Sequence, residues 1–238
     1  MATLLPIQSA LRALASPATA RILQGFFKTG TGQYGEGDVF LGIKVPVLRA
    51  FAKQHADVAL DDIQRLLDSI YHEERLLALL LSMQGYARAD DAGRQAIFEL
   101  YLANTRRINN WDLVDVSAPH IVGRHLQDRS RKLLHELARS TSLWERRIAI
   151  VATFHFIRQN DFADTLHIAE ILLEDGHDLM HKAVGWMLRE VGKRDQPLLE
   201  SFLRRHYARL PRTTLRYAIE RFQPALRQRY LQGAFTAA

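Results

Sequence analysis

Four segments of this 238-residue chain resemble one another at nearly constant spacing. "HEERLLALLL" around Arg75 is matched by "WERRIAIVAT" around Arg147 and "MHKAVGWMLR" around Lys182. "PRTTLRYAIE" around Thr214 is a weaker copy, and "NNWDLVDVSA" falls between the first two. Arg75 to Trp111 is 36 residues, Trp111 to Arg147 another 36, and Arg147 to Lys182 is 35. A period of this length, with two helices per unit, is that of a HEAT-like helical solenoid. Such units stack on their neighbours and the stack curves. Equivalent helices then line the concave face, and residues one period apart point the same way. The expected fold class is all-α, a curved α-solenoid of helical repeats.

Apolar residues at helical spacing extend this reading to "LLDSIYHEERLLALLLSMQGYA", "GRQAIFELYLA", "LWERRIAIVATFHFIRQ", "TLHIAEILLED", "HKAVGWMLREVG" and "PLLESFLRRHYARL". Sustained alternation of period two is absent. Ser16-Pro17 reads as an N-cap with proline at the first helical position, and Ser142-x-x-Glu145 as a capping box. Gly30 and Gly176 sit where left-handed C-caps would fall. Lys28–Pro46, with five glycines, reads as a long ordered loop. It lacks the ending of a P-loop and no strand precedes it. The expected organisation is one solenoid domain, with N-terminal helices and the glycine-rich loop over 1–45, repeats over 46–232 and a flexible tail over 233–238.

The absence of cysteine excludes disulfides, thiolate zinc sites and Cys nucleophiles. The first twenty residues make a poor signal peptide, and the longest apolar run, Leu76–Met83, is too short to span a membrane. These features point to a soluble cytoplasmic protein. The net charge is +6, unevenly placed. Residues 1–120 hold 12 Lys/Arg against 13 Asp/Glu, whereas 121–238 hold 20 against 13. A basic half of this kind suits a polyanion, above all nucleic acid, or else is a solvated arginine-rich surface.

Repeat spacing directs Trp111, Arg147 and the helix of Trp186 and Arg189 to one groove. Asp115 joins by its i+4 relation to Trp111. In the other reading of the same residues, the tryptophans pack between repeats and Asp115 caps a helix begun at Pro119. Asp112 reads as solvated or capping rather than as half of a carboxylate pair. His177 and His181 lie one turn apart, but no Glu follows the first and a third ligand is missing, so no metal site is expected.

At these residues the chain resembles the AlkD-type DNA alkylation repair glycosylases, a HEAT-like family. The likeness covers most of the chain. It is carried by "FLGIKVPVLR" (Phe40–Arg49), "NWDLVDVSAPHIVG" (Asn110–Gly123), "LWERRIAIVATF" (Leu143–Phe154) and "HKAVGWMLREVGK" (His181–Lys193), in order and at repeat spacing. The resemblance implies hydrolysis of the N-glycosidic bond of cationic alkylated purines, such as 3-methyladenine and 7-methylguanine, in double-stranded DNA as a step of base excision repair. It implies a catalytic role for Asp115, sugar-facing roles for Trp111 and Trp186, and a backbone contact for Arg147. Some members carry a second tryptophan where this chain has Asn110.

The residue types suit that chemistry. A cationic purine leaves without a strong general acid, and a carboxylate beside the sugar stabilises the charge it acquires. Aromatic faces favour a cationic neighbour. Phosphates would be held by Arg146, Arg147, Lys182, Arg189 and Lys193, with Arg212 and Arg216 further along. No cofactor is needed, and a monomer is expected. The resemblance further implies a concave solenoid that grips the backbone and leaves the base outside any closed pocket. The rival readings are a non-catalytic HEAT-like protein that binds distorted DNA, and a HEAT adaptor for a protein partner.

Overall fold

The computed structural model describes residues 6–234, and the tail from 235 on lies outside them. Among the described residues there is no strand, only one isolated bridge between Val39 and Tyr71. The all-α expectation therefore holds. No described helix is long and apolar enough to cross a membrane. The chain divides after Ser117 into two compact units.

The first unit contains α1 (Pro6–Arg12), α2 (Pro17–Phe26), α3 (Val45–Gln54), α4 (Leu60–Leu67), α5 (His72–Arg88), α6 (Asp91–Ala103) and α7 (Trp111–Ser117). Its axis is α5, which is buried around nearly its whole circumference from His72 to Ser82. A helix buried on all sides must be surrounded, and α3, α4, α6 and α7 pack against it. The apolar pattern from Leu66 to Ala87 is not one helix, because α4 stops at Leu67 and α5 begins at His72.

The N-terminus of α5 carries charge into this core. Glu73 is buried and accepts from the backbone N–H groups of Leu41 (2.8 Å), Gly42 (2.8 Å) and Ile43 (3.1 Å). Glu74, fully buried, takes Arg12 at 2.5 Å and Gln8 at 2.7 Å. The glycine-rich loop is thus ordered, as its sequence suggested, by a carboxylate that satisfies its buried backbone donors. Gly42 is the glycine this arrangement requires. Its φ is +85°, and an added Cβ would lie 2.1 Å from the Ser16 carbonyl oxygen. Gly42→Ala is expected to destabilise the protein by more than about 2 kcal/mol, from strain and overpacking together. Urea unfolding checks this.

The left-handed caps fall elsewhere than expected. Neither Gly30 nor Gly176 has positive φ, and Lys28 turns the chain after α2 with φ 53°. Before Gly176 the chain tightens into a 3₁₀ turn at Leu172–Glu174 and leaves through extended Asp175, so no left-handed cap is needed. Ser16 does cap α2, its hydroxyl accepting from Thr19 N–H at 3.4 Å. Ser142 caps the helix that starts at Leu143 through Glu145 N–H at 3.4 Å, but the Glu145 carboxylate turns to the Ser140 hydroxyl, which accepts from Ser142 N–H at 3.0 Å. The capping box therefore closes through an inserted serine.

The second unit begins with a short π-helical segment, Pro119–Gly123, followed by α8 (Lys132–Leu137), α9 (Leu143–Ala152), α10 (Phe154–Ile157), α11 (Ala163–Ile171), α12 (Asp178–Gly192), α13 (Gln196–His206), α14 (Arg212–Ala218) and α15 (Pro224–Gln232). Here α12 is the axis, packed by α9, α11, α13 and α14. Its Gly185 lets α14 approach closely, since a Cβ there would lie 2.5 Å from the Cβ of Tyr217. The expected helix through "LWERRIAIVATFHFIRQ" is broken at Thr153, whose hydroxyl bonds back to the Ile150 carbonyl at 2.6 Å. Such back-bonding bends helices.

The repeat is visible in local hydrogen bonding, one residue out of the aligned register. Arg75 donates to the carbonyls of Ser69 (3.0 Å) and Ile70 (3.3 Å), six and five residues before it. The residue that repeats this is Arg146, which donates to Ser140 and Thr141, both at 2.9 Å. In both, the guanidinium satisfies carbonyls of the chain entering its own helix.

Candidate functional site

Helix α7 starts at Trp111 because Asn110 caps it. The Asn110 side-chain oxygen accepts from Trp111 N–H at 2.8 Å, and its amide donates to Asp38 at 2.9 Å. Asn110, at the position where some family members carry tryptophan, is fully buried here and ties α7 to the glycine-rich loop. Trp111, Asp112 and Asp115 are half-buried on the other side of α7, while Leu113, Val114 and Ser117 face the core.

Those three residues line a cavity of about 450 Å³. Its other walls come from Leu23, Phe26 and Phe27 of α2 and its cap, Val45 and Arg49 of α3, Leu76 and Leu80 of α5, and Val116. Phe27 stacks on Trp111 with centroids 5.2 Å apart, and Phe26 meets Trp111 edge-on at 6.0 Å. Asp115 is half-buried at this cavity, neither in the core nor fully solvated. Burial first, and then the charge of Asp115, push the Tyr101 hydroxyl far above its ordinary pKa. That hydroxyl sits 3.0 Å from the Ser117 hydroxyl. The Pro119 segment starts from Ala118, which is already helical.

Behind the cavity lies a buried charge array that sequence reasoning missed. His72 places Nδ1 3.0 Å from Asp38 and Nε2 2.8 Å from Asp112. Asp38 also receives Arg75 and Asn110. Burial alone lowers the His72 pKa, but the charges and hydrogen bonds of Asp112 and Asp38 outweigh it and raise the pKa to about 9. His72 is therefore an imidazolium donating from both nitrogens. Burial likewise raises Asp38, but His72, Arg75 and Asn110 bring it below the ordinary carboxylate range. Rings continue the array outward, with His72 stacked on Phe40 at 4.6 Å and Phe40 on Phe27 at 5.0 Å.

Asp112 is thus neither solvated nor a cap. It is three residues from Asp115, a spacing that shares a helix face, so both carboxylates reach the cavity. Its Oδ1 is buried without a partner. The sequence did carry a signal for this array. Three ionisable residues, "HEE", precede the longest apolar run of the chain, and buried charge requires partners.

The remaining candidates belong to the second unit. Trp186 is half-buried on α12 and lies 5.8 Å from Phe154, whose face carries Arg158 at 4.3 Å. Arg147 is buried, 5% exposed, and its Nη1 donates to the Leu179 carbonyl at 2.6 Å. Arg146 pairs with Asp175 at 2.6 Å, and Arg189 with Glu220. Lys182 meets Asp178 and Lys193 meets Glu190, each at 2.7 Å. Arg212 is exposed and bonds the Leu231 carbonyl at 2.9 Å, and Arg216 is exposed. The second unit is basic in sum, yet several of its cations are already satisfied within the fold.

His177 and His181 do not form a metal pair. His177 caps α12, its Nδ1 accepting from Leu179 N–H at 3.1 Å, while His181 bonds the Asp175 carbonyl. Among the described residues no group of three or more potential ligands gathers.

No curated protein matches the chain significantly. A solved structure, "Predicted DNA alkylation repair enzyme from Enterococcus faecalis", is similar to it with a TM-score of 0.68 and 17% identity. The match covers 88% of this chain and 97% of that one, and at this identity it speaks for the fold. A family model, that of the DNA alkylation repair enzymes, matches residues 7–222. The chain therefore belongs to the DNA alkylation repair enzyme family.

Proposed function

We propose that the protein is a DNA glycosylase acting on cationic alkylated purines in double-stranded DNA. One observation carries this reading. Asp115 and Trp111 stand one turn apart on α7, both lining a cavity with aromatic walls. Family membership makes alkylated DNA the natural substrate.

The chemistry follows from what these groups can do. The bond from C1′ to the purine nitrogen breaks, and its electron pair leaves with the purine, which becomes neutral. Positive charge grows on the deoxyribose. The Asp115 carboxylate stabilises that charge and accepts a proton from the water whose oxygen bonds to C1′. Trp111 offers its ring face to the cationic sugar, and Trp186 is proposed for the same role. The half-buried Lys182 and the exposed Lys193, Arg212 and Arg216 are proposed to hold phosphates. Arg146, Arg147 and Arg189, engaged with protein groups, are proposed to add backbone contacts from those fixed positions.

No acid stands ready to protonate a neutral base in this scheme, so the lesion's own charge selects it. Methylated duplex DNA should release free 7-methylguanine or 3-methyladenine, and uracil-containing duplex should release roughly 10²-fold less or none. Chromatography of released bases checks this. Binding should also weaken steeply with salt, as phosphate contacts require. DNA binding without release would favour a non-catalytic DNA-binding protein. Neither binding nor release would favour a protein-interaction adaptor.

A further inference from the structure

Separate stretches of the second unit bring positive charge to one place. Gly123 lets the Pro119–Gly123 segment press on the junction of α9 and α10. A Cβ there would lie 2.2 Å from the Ala152 carbonyl oxygen and 2.8 Å from the Cβ of His155. His120 and Arg124, four residues apart and both exposed, are carried to α10 by this contact. His155 is half-buried, with Nε2 2.8 Å from the Gln127 side-chain oxygen. Burial first, and then the charges of Arg124, His120, Arg158 and Arg131, hold its pKa below the ordinary histidine value. Arg131 is answered within the fold, by Asp161 at 2.6 Å and Asp164 at 2.8 Å. Arg158 is exposed, and among the described residues no carboxylate pairs with it. Its guanidinium lies over the Phe154 ring at 4.3 Å, and that ring is 5.8 Å from Trp186. A guanidinium laid on a ring keeps its N–H edge outward, in the geometry that meets phosphate oxygens.

Like charges gathered in this way repel, and an anion among them removes that cost. Arg124 and Arg158 both face solvent, so an anion held here stays open to water. A single small anion gains little at such a site. A nucleic-acid strand brings successive phosphates and releases its condensed counterions on binding. Trp186, one ring away from Arg158, offers the aromatic face that a sugar of that strand would meet. We propose that Arg124 and Arg158, with His120 beside them, form a phosphate site that grips the DNA strand whose sugar Trp186 faces. This rests on the DNA reading above and deepens it. Repeat spacing singles out Arg146, Arg147 and Lys182 and passes over these residues. The π-helical turn before Arg124 and the break at Thr153 set their positions instead.

The test follows binding of undamaged duplex DNA to the whole protein by fluorescence anisotropy across a salt series. Arg124→Gln and Arg158→Gln should each weaken binding roughly tenfold and lower the slope of log affinity against log salt by about one. Arg158→Lys should keep the slope, since the charge remains, yet bind more weakly than the parent, since the fork is lost. Arg205→Gln, an exposed change on α13, is the comparison and should alter affinity less than about twofold, because a charge without phosphate contact is screened. Unchanged affinity and slope in Arg158→Gln, or an equal loss in Arg205→Gln, overturns the proposal. Base release from methylated duplex is measured in parallel at saturating protein. There Arg158→Gln should keep the parent's rate, because a phosphate contact adds affinity rather than chemistry. Duplex binding that depends on Arg124 and Arg158, without base release, sinks the glycosylase reading and leaves the site standing. Base release by a protein whose binding ignores both arginines sinks the site alone.

Discussion

Asp115→Asn is expected to slow release of 7-methylguanine by roughly 10²- to 10³-fold while duplex affinity stays nearly unchanged. The substitution keeps shape and removes charge. Asp115 is half-buried beside aromatic rings, where a charge acts through less water than on an open surface. The cost falls on the step in which the sugar becomes cationic, because the ground-state sugar is neutral and gains little from the carboxylate. Single-turnover kinetics on methylated duplex, beside binding at the same salt concentration, separates the two quantities. Release at the parent's rate would remove Asp115 from the mechanism. Loss of binding in step with rate would make it a structural residue.

His72→Ala is expected to destabilise the protein by about 3–5 kcal/mol. It would leave Asp38 and Asp112 as buried carboxylates that have lost their shared cation. The same pair of contacts sets a pH dependence whose sign follows from linkage. The His72 pKa is raised from 6.5 to about 9 on folding. Its contribution is therefore complete below the unfolded value and is lost as pH rises through about 9, some 3 kcal/mol in all. Asp38 runs the other way. Its pKa is lowered from 3.8, so its contribution is present above that value and declines as the solution becomes more acidic. Urea unfolding across this range should show greatest stability in mildly acidic to neutral solution. The alkaline decline should vanish in His72→Ala. A wild-type curve flat from neutral to pH about 9 would mean that the imidazole is neutral in the folded protein.

Much of the local structure was legible in the residues themselves. Ser16 caps α2 as its position before a proline suggested. Trp111 and Asp115 share a cavity because an i+4 spacing on a helix leaves them no other choice. Where reading failed, a distant partner had decided the matter. Gly30 and Gly176 looked like caps by spacing, whereas Gly42 is required by packing, through the Ser16 carbonyl oxygen pressed against it. Asp112 looked solvated because its partner, His72, lies forty residues earlier. Arg147 was placed in a groove by repeat spacing, and its buried position and bond to the Leu179 carbonyl could not be read from that spacing.

The all-α class, the helical repeat, the basic second half and the α7 pairing of an indole with a carboxylate were all readable from the residues in order. These depend on periodicity, composition and spacing within one helix, all of which are local. That α2 and α3 close a cavity over that pair, and that Asp38, His72, Arg75 and Asp112 form one buried array, emerged from the three-dimensional packing. Such choices belong to packing and to the demand that buried charges find partners. Those partners come from wherever the chain happens to pass, and no pattern along the sequence records them.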